Sequence, residues 1–394
     1  MKIKIIGMLA GWWLFSVPLQ AQTTLEEVLG AVEKNNRTLA ANRQYLEARK
    51  KSFLTGLNPA NPVVDYDYLQ GSPAEAGNQT DLSVTQSLDF PTTYFRKRDL
   101  ATQQAIQAET EWTVNRQQIL LETKLTFLDL IYQNKRTLEL SRRISHLERL
   151  LVDFQKRLQQ GDIGILDVNK AKLQLIQWQN EQRVQAAEMQ LQNQKLTELN
   201  GGVPLIITDT LFSISPALPR FETLDSLIEA NDPIVKTFEQ QQVVSQKQLA
   251  VTRALTLPKL ETGYHYQEIL GQRYQGLHLG VSIPLWENRN TVQAQQSEIK
   301  WREAQLAEHR LEHQSYNRQL YTQYESLQKT LMAYQAIFSS INNIALLQKA
   351  LRFGQISTIQ YFQEIAYLYN SYDTYQEAEK DYFQAIARLY KFHL

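Results

Sequence analysis

The chain has 394 residues, with 41 basic and 41 acidic side chains and no cysteine. A formal net charge of zero leaves no basic surplus for nucleic acid or for an anionic membrane surface. The lack of cysteine excludes disulfides, thiol chemistry and a lipidated cysteine anchor. The ample hydrophobic content excludes wholesale disorder.

Residues 1–21 have the pattern of an export signal peptide. Two early lysines precede an apolar stretch from Ile5 to Val17, and Ala21 ends the segment at the expected cleavage site. A membrane anchor is the alternative, but the stretch is shorter than the ~18 residues that a spanning helix needs, and no later segment reaches that length. Export without cysteine predicts the periplasm or outer membrane of a Gram-negative bacterium.

The chain repeats one order of elements. Residues 22–200 and 223–394 each predict a helix, two strands, a very long helix, a glycine-containing turn and a further helix. Residues 201–222 form a turn-rich linker, which we expect at mid-height of the molecule. This duplication predicts one structural unit that is used twice.

Four segments alternate polar and apolar side chains and predict strands, at about 62–70, 79–88, 259–269 and 275–284. A period of two with aromatic residues on the apolar face is typical of a barrel strand between lipid and water. The alternative is a soluble hairpin packed on a core. In the barrel interpretation the lipid-facing residues are Val64, Tyr66, Tyr68, Leu82, Val84, Tyr264, Tyr266, Leu277, Leu279 and Val281.

Four strands are too few for one chain to close a barrel. The smallest single-chain barrels have about eight strands, and open strand edges are not tolerated in lipid. Lipid-facing strands would therefore require several chains to share one barrel. The polar residues His265 and His278 would then line its lumen.

Two stretches without proline or glycine, Thr93 to Gln160 and residues 288–353, predict uninterrupted helices of roughly 100 Å each. Apolar residues recur along them at coiled-coil spacing, and the opposite faces are polar. One apolar stripe beside a wide polar face favours the wall of a hollow helical tube, with a two-stranded coiled coil as the alternative. Each long helix leads to a glycine turn, near 161–164 and near 354–357, and we expect both turns at the far end from the strands.

Paired motifs resemble those of the TolC-type outer-membrane efflux channel family over the mature chain. Residues 84–91 and 281–288 resemble its strand-to-helix corners, and residues 157–168 and 351–358 resemble its tip. The resemblance implies a mainly α-helical fold with a small β part and two tandem repeats. It implies a homotrimer in which each chain gives four strands to a shared twelve-stranded barrel and long coiled-coil helices to a trimeric tube.

The resemblance also implies a passive outer-membrane exit duct, embedded in outer-membrane lipid, with a periplasmic adaptor and an inner-membrane pump of the resistance-nodulation-division type as partners. A type I protein-secretion channel of the same fold and a soluble periplasmic coiled-coil scaffold are the alternatives. The adaptor would contact the tip at Gly161, Asp162, Ile163, Gly164, Gly354, Gln355, Ile356 and Ser357.

The family pattern places a ring of aspartates six and nine residues after the second tip glycine, where this chain has Gln360 and Gln363. The first repeat has Asp167 and Lys170 at the matching positions. An acidic ring would therefore come from Asp162 or Asp167, whose alternative role is capping a helix N-terminus. The candidate pore constriction is Asp162, Asp167, Gln360 and Gln363.

Phe90-Pro91 and the Asn-Pro pairs before the first strand resemble the heavy-metal branch of the family, which exports cobalt, zinc and cadmium or copper and silver. His309 and His313 stand at i and i+4 and are either a metal pair or two exposed helix histidines. The chain has no phosphate loop, zinc-protease motif or nucleophile elbow. We therefore expect no enzyme, no cofactor and no resident metal.

Overall fold

The computed structural model describes residues 24–213, 218–340 and 343–394. The predicted export signal lies outside these residues. The first repeat contains helices α1 (Leu25–Asn35), α2 (Arg37–Phe53), α3 (Pro91–Gln159) and α4 (Ile165–Leu199), with strands β1 (Val63–Leu69) and β2 (Gln79–Leu88) between α2 and α3. The second contains α5 (Phe221–Asn231), α6 (Pro233–Ala254), β3 (Lys259–Ile269), β4 (Gln272–Ser282), α7 (Thr291–Ser340), α8 (Asn343–Arg352) and α9 (Thr358–Leu389).

This order confirms the mainly helical fold with two tandem repeats and two strands in each repeat. Helix α3 has 69 residues, which at 1.5 Å per residue gives a length of roughly 100 Å. The second long helix differs from the prediction of one continuous element. The structure describes it as α7 and α8, and the two residues between them lie outside the described part of the chain.

The helix that opens each repeat is in fact two helices. Asn36 and Asp232 have extended backbones and interrupt the helices at equivalent places. The Asn36 side chain accepts a hydrogen bond from the Leu39 N–H at 2.8 Å, and Asp232 accepts one from the Ile234 N–H at 2.9 Å. Each side chain thereby caps the start of a new helix, and Pro233 is favourable at the first position of α6 because it lacks an N–H.

The strands form one antiparallel sheet in the order β1-β2-β3-β4. The two repeats meet where β2 pairs with β3, and the outer strands β1 and β4 are the sheet edges. The register aligns Val64 with Val84, Val84 with Tyr264, and Tyr264 with Leu277. Strand β4 begins at Gln272, three residues earlier than the alternation alone indicates.

The shorter helices pack along the two long helices, one after the other along the helix axis. Helix α3 contacts α2 and α4, and it also contacts α6 and α9. Helix α7 likewise contacts both α6 and α9. Helices α2 and α4 thus lie one after the other along α3, and α6 and α9 lie one after the other between α3 and α7. Two helix pairs stacked end to end extend the wall beyond the length of any single short helix.

The first end-to-end junction joins α4 to the start of α2. The Asn36 amide donates to the Leu199 carbonyl at 2.7 Å, and the Asn35 amide donates to Asn200 Oδ1 at 3.1 Å. Gly201 has a φ of +68°, and a Cβ there would lie 2.1 Å from the Asn35 carbonyl oxygen. Only glycine fits this position, because it tolerates positive φ and leaves room for the close approach.

The second junction joins α9 to the start of α6 through charge. The Asp232 side chain is fully buried, and it lies 2.9 Å from Lys391 Nζ and 3.0 Å from His313 Nε2. Burial raises the pKa of Asp232. The opposite effect is larger and lowers the pKa to about 2, because the carboxylate accepts hydrogen bonds from His313 and the Ile234 N–H and lies beside the charge of Lys391. The buried carboxylate is therefore ionised, with partners on α7 and after α9.

Apolar packing is concentrated at mid-height and at the far end of the helices. Val28, Leu130 and Leu196 belong to one mid-height cluster, and Leu224 and Leu389 belong to another. The cluster at the far end, here the tip cluster, joins α3, α4, α8 and α9 through Ile144, Leu147, Phe154, Val168, Ala171, Trp178, Leu351, Tyr361, Phe362, Ile365 and Tyr369. It holds the two glycine turns together at one end.

None of the helices in the described ranges is both long enough and apolar enough to cross a membrane.

Acid should weaken the second junction. Because the folded pKa of Asp232 is about 2 and its reference value is 3.8, its stabilisation is fully present above about pH 4 and is lost as the pH falls toward 2. We expect a loss of about 2 kcal/mol in unfolding free energy, measured by urea unfolding with far-ultraviolet circular dichroism. Asp232→Asn, which keeps a capping side chain without the charge, is the control. An equal acid sensitivity of wild type and variant would contradict the prediction.

Candidate functional site

One face of the sheet carries most of the apolar side chains of the four strands. The register places the ten residues named from the alternation on this face: Val64, Tyr66, Tyr68, Leu82, Val84, Tyr264, Tyr266, Leu277, Leu279 and Val281. Nothing in the described chain covers the edge strands, since Leu277 is 86% exposed and Leu279 81%. An uncovered apolar face of this kind marks a surface that must contact lipid or another protein.

The opposite face is mainly polar and charged. His265 Nε2 lies 3.6 Å from Asp81 Oδ1, and His278 Nε2 lies 3.6 Å from Glu261 Oε1. The Ser83 hydroxyl donates to Asp65 Oδ2 at 3.4 Å. These cross-strand contacts place the two histidines on the same side as the carboxylates, where water can solvate them. The first face therefore suits an apolar environment, and the opposite face suits water.

The sheet also has two open edges. β1 pairs only with β2, and β4 only with β3, so the outer sides of both strands lack a neighbour among the described residues. An open edge exposes unpaired backbone N–H and C=O groups and is a template for pairing with another strand. Within the described residues, a single chain thus leaves its apolar face uncovered and the backbone groups at its sheet edges unpaired.

Both tip turns end their helices in the same way. In the first, the Asp162 N–H donates to the Arg157 carbonyl at 2.9 Å, and Gly161 has a φ of +79°. In the second, the Gln355 N–H donates to the Ala350 carbonyl at 2.9 Å, with Gly354 at a φ of +69°. A glycine with positive φ, followed by a backbone hydrogen bond that spans six residues, is the Schellman motif that ends many helices. The two repeats therefore share one turn geometry.

The next helices also begin alike. Asp167 Oδ2 accepts from the Gly164 N–H at 3.2 Å, and Gln360 Oε1 accepts from the Ser357 N–H at 2.9 Å. Each is the third residue of its helix and satisfies a backbone donor that the helix leaves free. Of the four proposed constriction residues, Asp167 and Gln360 thus serve as helix caps.

The other two candidates for the constriction, Asp162 and Gln363, are exposed and have no side-chain hydrogen bond within the described residues. Asp162 lies in the turn itself, whereas Gln363 lies on the first turns of α9. Ile163 and Ile356, one from each tip turn, are half-buried against the tip cluster. The eight residues named as the tip surface therefore lie in two adjacent turns at one end of the protein.

The structure corrects one prediction about the histidine pair. His309 and His313 are half-buried rather than exposed. The His309 ring stacks on Phe238 with centroids 4.4 Å apart, and His313 contacts Asp232 at the second junction. In the described ranges no group of three or more His, Cys, Asp or Glu side chains could hold a metal ion. The pair is part of the helix junction.

A buried charge network was not anticipated from the sequence. The Arg143 side chain is 2% exposed, and its guanidinium forms two hydrogen bonds to the Asp373 carboxylate, at 3.0 and 2.6 Å. It also contacts Glu139 at 3.1 Å, one helical turn earlier, and lies 4.3 Å from the centroid of the Tyr369 ring. A bidentate pair of this kind fixes both distance and orientation. It ties α9 to α3 between mid-height and the tip.

Removing the Asp167 carboxylate should loosen the start of α4. We expect Asp167→Ala to cost about 1 kcal/mol, because the Gly164 N–H loses its partner. The loss should appear as faster amide hydrogen exchange in the first turn of α4. Asp162→Ala is the matched control, since this exposed side chain has no such bond. Equal exchange in both variants would contradict the capping role.

No protein-family model matches the chain, and no curated protein matches it. Several solved structures do. CusC has 13% sequence identity and a TM-score of 0.78, with 98% of this chain and 95% of that chain covered. The outer-membrane channel OprN has 15% identity and a TM-score of 0.77, with coverage of 93% and 89%. The CmeC outer membrane channel of Campylobacter jejuni has 13% identity and a TM-score of 0.68, with coverage of 100% and 93%. With its sheet, long helices and paired tip turns, the chain therefore has the fold of the TolC-type outer-membrane channels.

Proposed function

We propose that this protein is the outer-membrane exit duct of a tripartite efflux system and conducts its cargo passively. The observation that carries the proposal is the four-stranded sheet, which has an uncovered apolar face, a polar opposite face and two open edges. Helix α3, 69 residues long, runs from this sheet to the tip. The likeness of fold to outer-membrane channels supports the same function.

The open sheet supports a shared barrel in the outer membrane. In hydrocarbon an unpaired backbone group costs several kcal/mol, so a sheet in lipid must close on itself. Four strands from each of three chains would give twelve strands, and β1 of one chain would pair with β4 of the next. The ten residues of the apolar face would contact lipid. The face that carries His265 and His278 would line the lumen.

The long helices support a periplasmic tube. Twelve helices from three chains would continue the barrel as a water-filled conduit of roughly 100 Å. The tip turns at its far end would contact a periplasmic adaptor, which connects the duct to an inner-membrane pump of the resistance-nodulation-division type. Asp162 and Gln363 are the best placed of the candidate constriction residues, because Asp167 and Gln360 are engaged as caps.

The cargo that we propose is metal ions or small toxic compounds. The support for metal ions is the resemblance of Phe90-Pro91 and the nearby Asn-Pro pairs to the heavy-metal branch. Passage through a wide, water-filled duct needs no resident metal site. Cargo choice would then be made mainly by the pump, with the duct supplying the exit.

The decisive experiment is single-channel conductance of the detergent-extracted protein in a planar bilayer, with its mass determined by light scattering. We expect the mass of a trimer and discrete conductance steps. A water-soluble protein without conductance would overturn the proposal and favour a coiled-coil scaffold. A rise in conductance in Asp162→Ala would place a constriction at the first tip turn.

A charge on the apolar face should prevent assembly. Lysine on a lipid-facing strand costs ~2–4 kcal/mol near the bilayer midplane, and each trimer would contain three. We therefore expect Leu279→Lys to remove the trimer from outer-membrane fractions. His278→Lys is the matched control, because this adjacent residue lies on the polar face with Glu261 at 3.6 Å. Normal assembly of Leu279→Lys would show that the face does not meet lipid.

A further inference from the structure

A cleft of about 450 Å³ lies between the end of α7, helix α8 and helix α9. We call it the aromatic cleft, because rings from α7 and α9 line it. Helix α9 contributes Glu364, Tyr367, Leu368 and Ser371, which stand at i, i+3, i+4 and i+7 and therefore share one face of the helix. The volume of the cleft lies in the range of pockets that hold a small organic molecule.

The cleft is open because short side chains stand where packed helices usually interlock large ones. Ala350 on α8 and Ser371 on α9 both line it and leave space between the two helices. Leu347 lines the cleft and also packs against the tip cluster, so it bounds the cleft on the side of the tip. The aromatic cleft is therefore a bounded gap in a helical wall that is packed beside it.

The rings on the α7 side of the cleft are held in place by other residues. Tyr334 and Phe338 both line the cleft, and their rings stack with centroids 5.6 Å apart. The Tyr375 ring packs edge-on against Phe338 at 5.7 Å. The Tyr375 hydroxyl accepts a hydrogen bond from the Gln335 amide at 3.3 Å, and Lys135 Nζ lies 5.6 Å from the centre of the Tyr375 ring. A ligand in the cleft would therefore meet an aromatic wall that is already ordered, which lowers the entropic cost of binding.

The charge of the cleft is negative. Glu364 is the one ionisable acid or base among the described residues that line it, apart from the tyrosines. Its side chain is exposed and forms no ion pair or hydrogen bond with another described residue. Tyr367, one helical turn later, is 75% exposed and adds a further ring. Because the faces of aromatic rings also attract positive charge, the carboxylate and the rings favour the same kind of ligand.

We propose that the aromatic cleft binds an organic cation whose positive charge is carried by an apolar, aromatic body. Such a ligand can place its body against the rings and its charge beside Glu364. An organic anion would be repelled by the same carboxylate. A metal ion would find a single carboxylate, and no group of three or more metal-binding side chains lies in the described ranges. The site is formed within one chain and goes beyond the proposed duct, which does not require it.

The test uses two probe ions of the same shape and opposite charge, tetraphenylphosphonium and tetraphenylborate. Each has phenyl rings around a central atom, so the pair separates the effect of charge from that of apolar contact. Binding to the full chain in an uncharged detergent is measured by isothermal titration calorimetry, with protein-free micelles as the blank. We expect a single bound cation per chain, held at least about tenfold more tightly than the anion.

Substitutions at the exposed residues of the cleft make the test specific. Glu364→Gln should weaken binding of the cation about fivefold, and Tyr367→Leu, which keeps an apolar side chain without the ring, about threefold. Glu364→Lys should prefer tetraphenylborate, a gain that a misfolded protein cannot show. Glu377→Gln is the matched control, because Glu377 is an exposed carboxylate of the same helix that does not line the cleft. It should keep the wild-type affinity.

Amide hydrogen exchange locates the bound cation. Tetraphenylphosphonium should slow exchange in α8 and in the first half of α9, because the ligand joins these helices. Three results would overturn the proposal: equal binding of the two ions by wild type, an equal effect of Glu364→Gln and Glu377→Gln, or slower exchange only outside α7, α8 and α9. Conductance of the same preparations separates this inference from the proposed function. Normal channel steps without a preference for the cation would overturn the binding site alone, whereas a clear preference without conductance would overturn the duct alone.

Discussion

The need to close an open sheet is the constraint on which the rest of this structure depends. Four strands leave two rows of unpaired backbone groups and an apolar face that the other described residues do not cover. Within the described residues the strands pack on one another, and no helix packs extensively against the sheet. In the proposed assembly, neighbouring chains would supply the missing strands and lipid would surround the apolar face.

The helical part of the protein is a long wall in which shorter helices lie end to end along the long ones. Asn36 and Asp232 end one helix and start the next at equivalent places. One junction is held by neutral amides and a glycine contact, and the other by a buried carboxylate with Lys391 and His313. The same architecture is thus maintained by hydrogen bonds in one repeat and by charge in the other.

Features set by neighbouring residues were predictable from the sequence, and features set by distant ones were not. The strand alternation, the Gly161 and Gly354 turns and the repeat follow from local periodicity and from the backbone freedom of glycine. The break before Pro233 is also a local feature, because Asp followed by Pro is a helix-start signal, but it was not predicted from the sequence. The partnership of Asp232 with Lys391, and that of Arg143 with Asp373, joins residues over 150 positions apart, which no local pattern reveals.

The central pairing of the sheet has a consequence for biosynthesis. Gln79 on β2 pairs with Ile269 on β3, so the seam of the sheet joins residues that are nearly half of the chain apart. The α3–α4 hairpin needs only contacts within the first repeat and can form early, whereas the seam must wait until the second repeat has emerged. The helical hairpin of the nascent protein can therefore form before its sheet, and the sheet is completed only after both repeats have been synthesised.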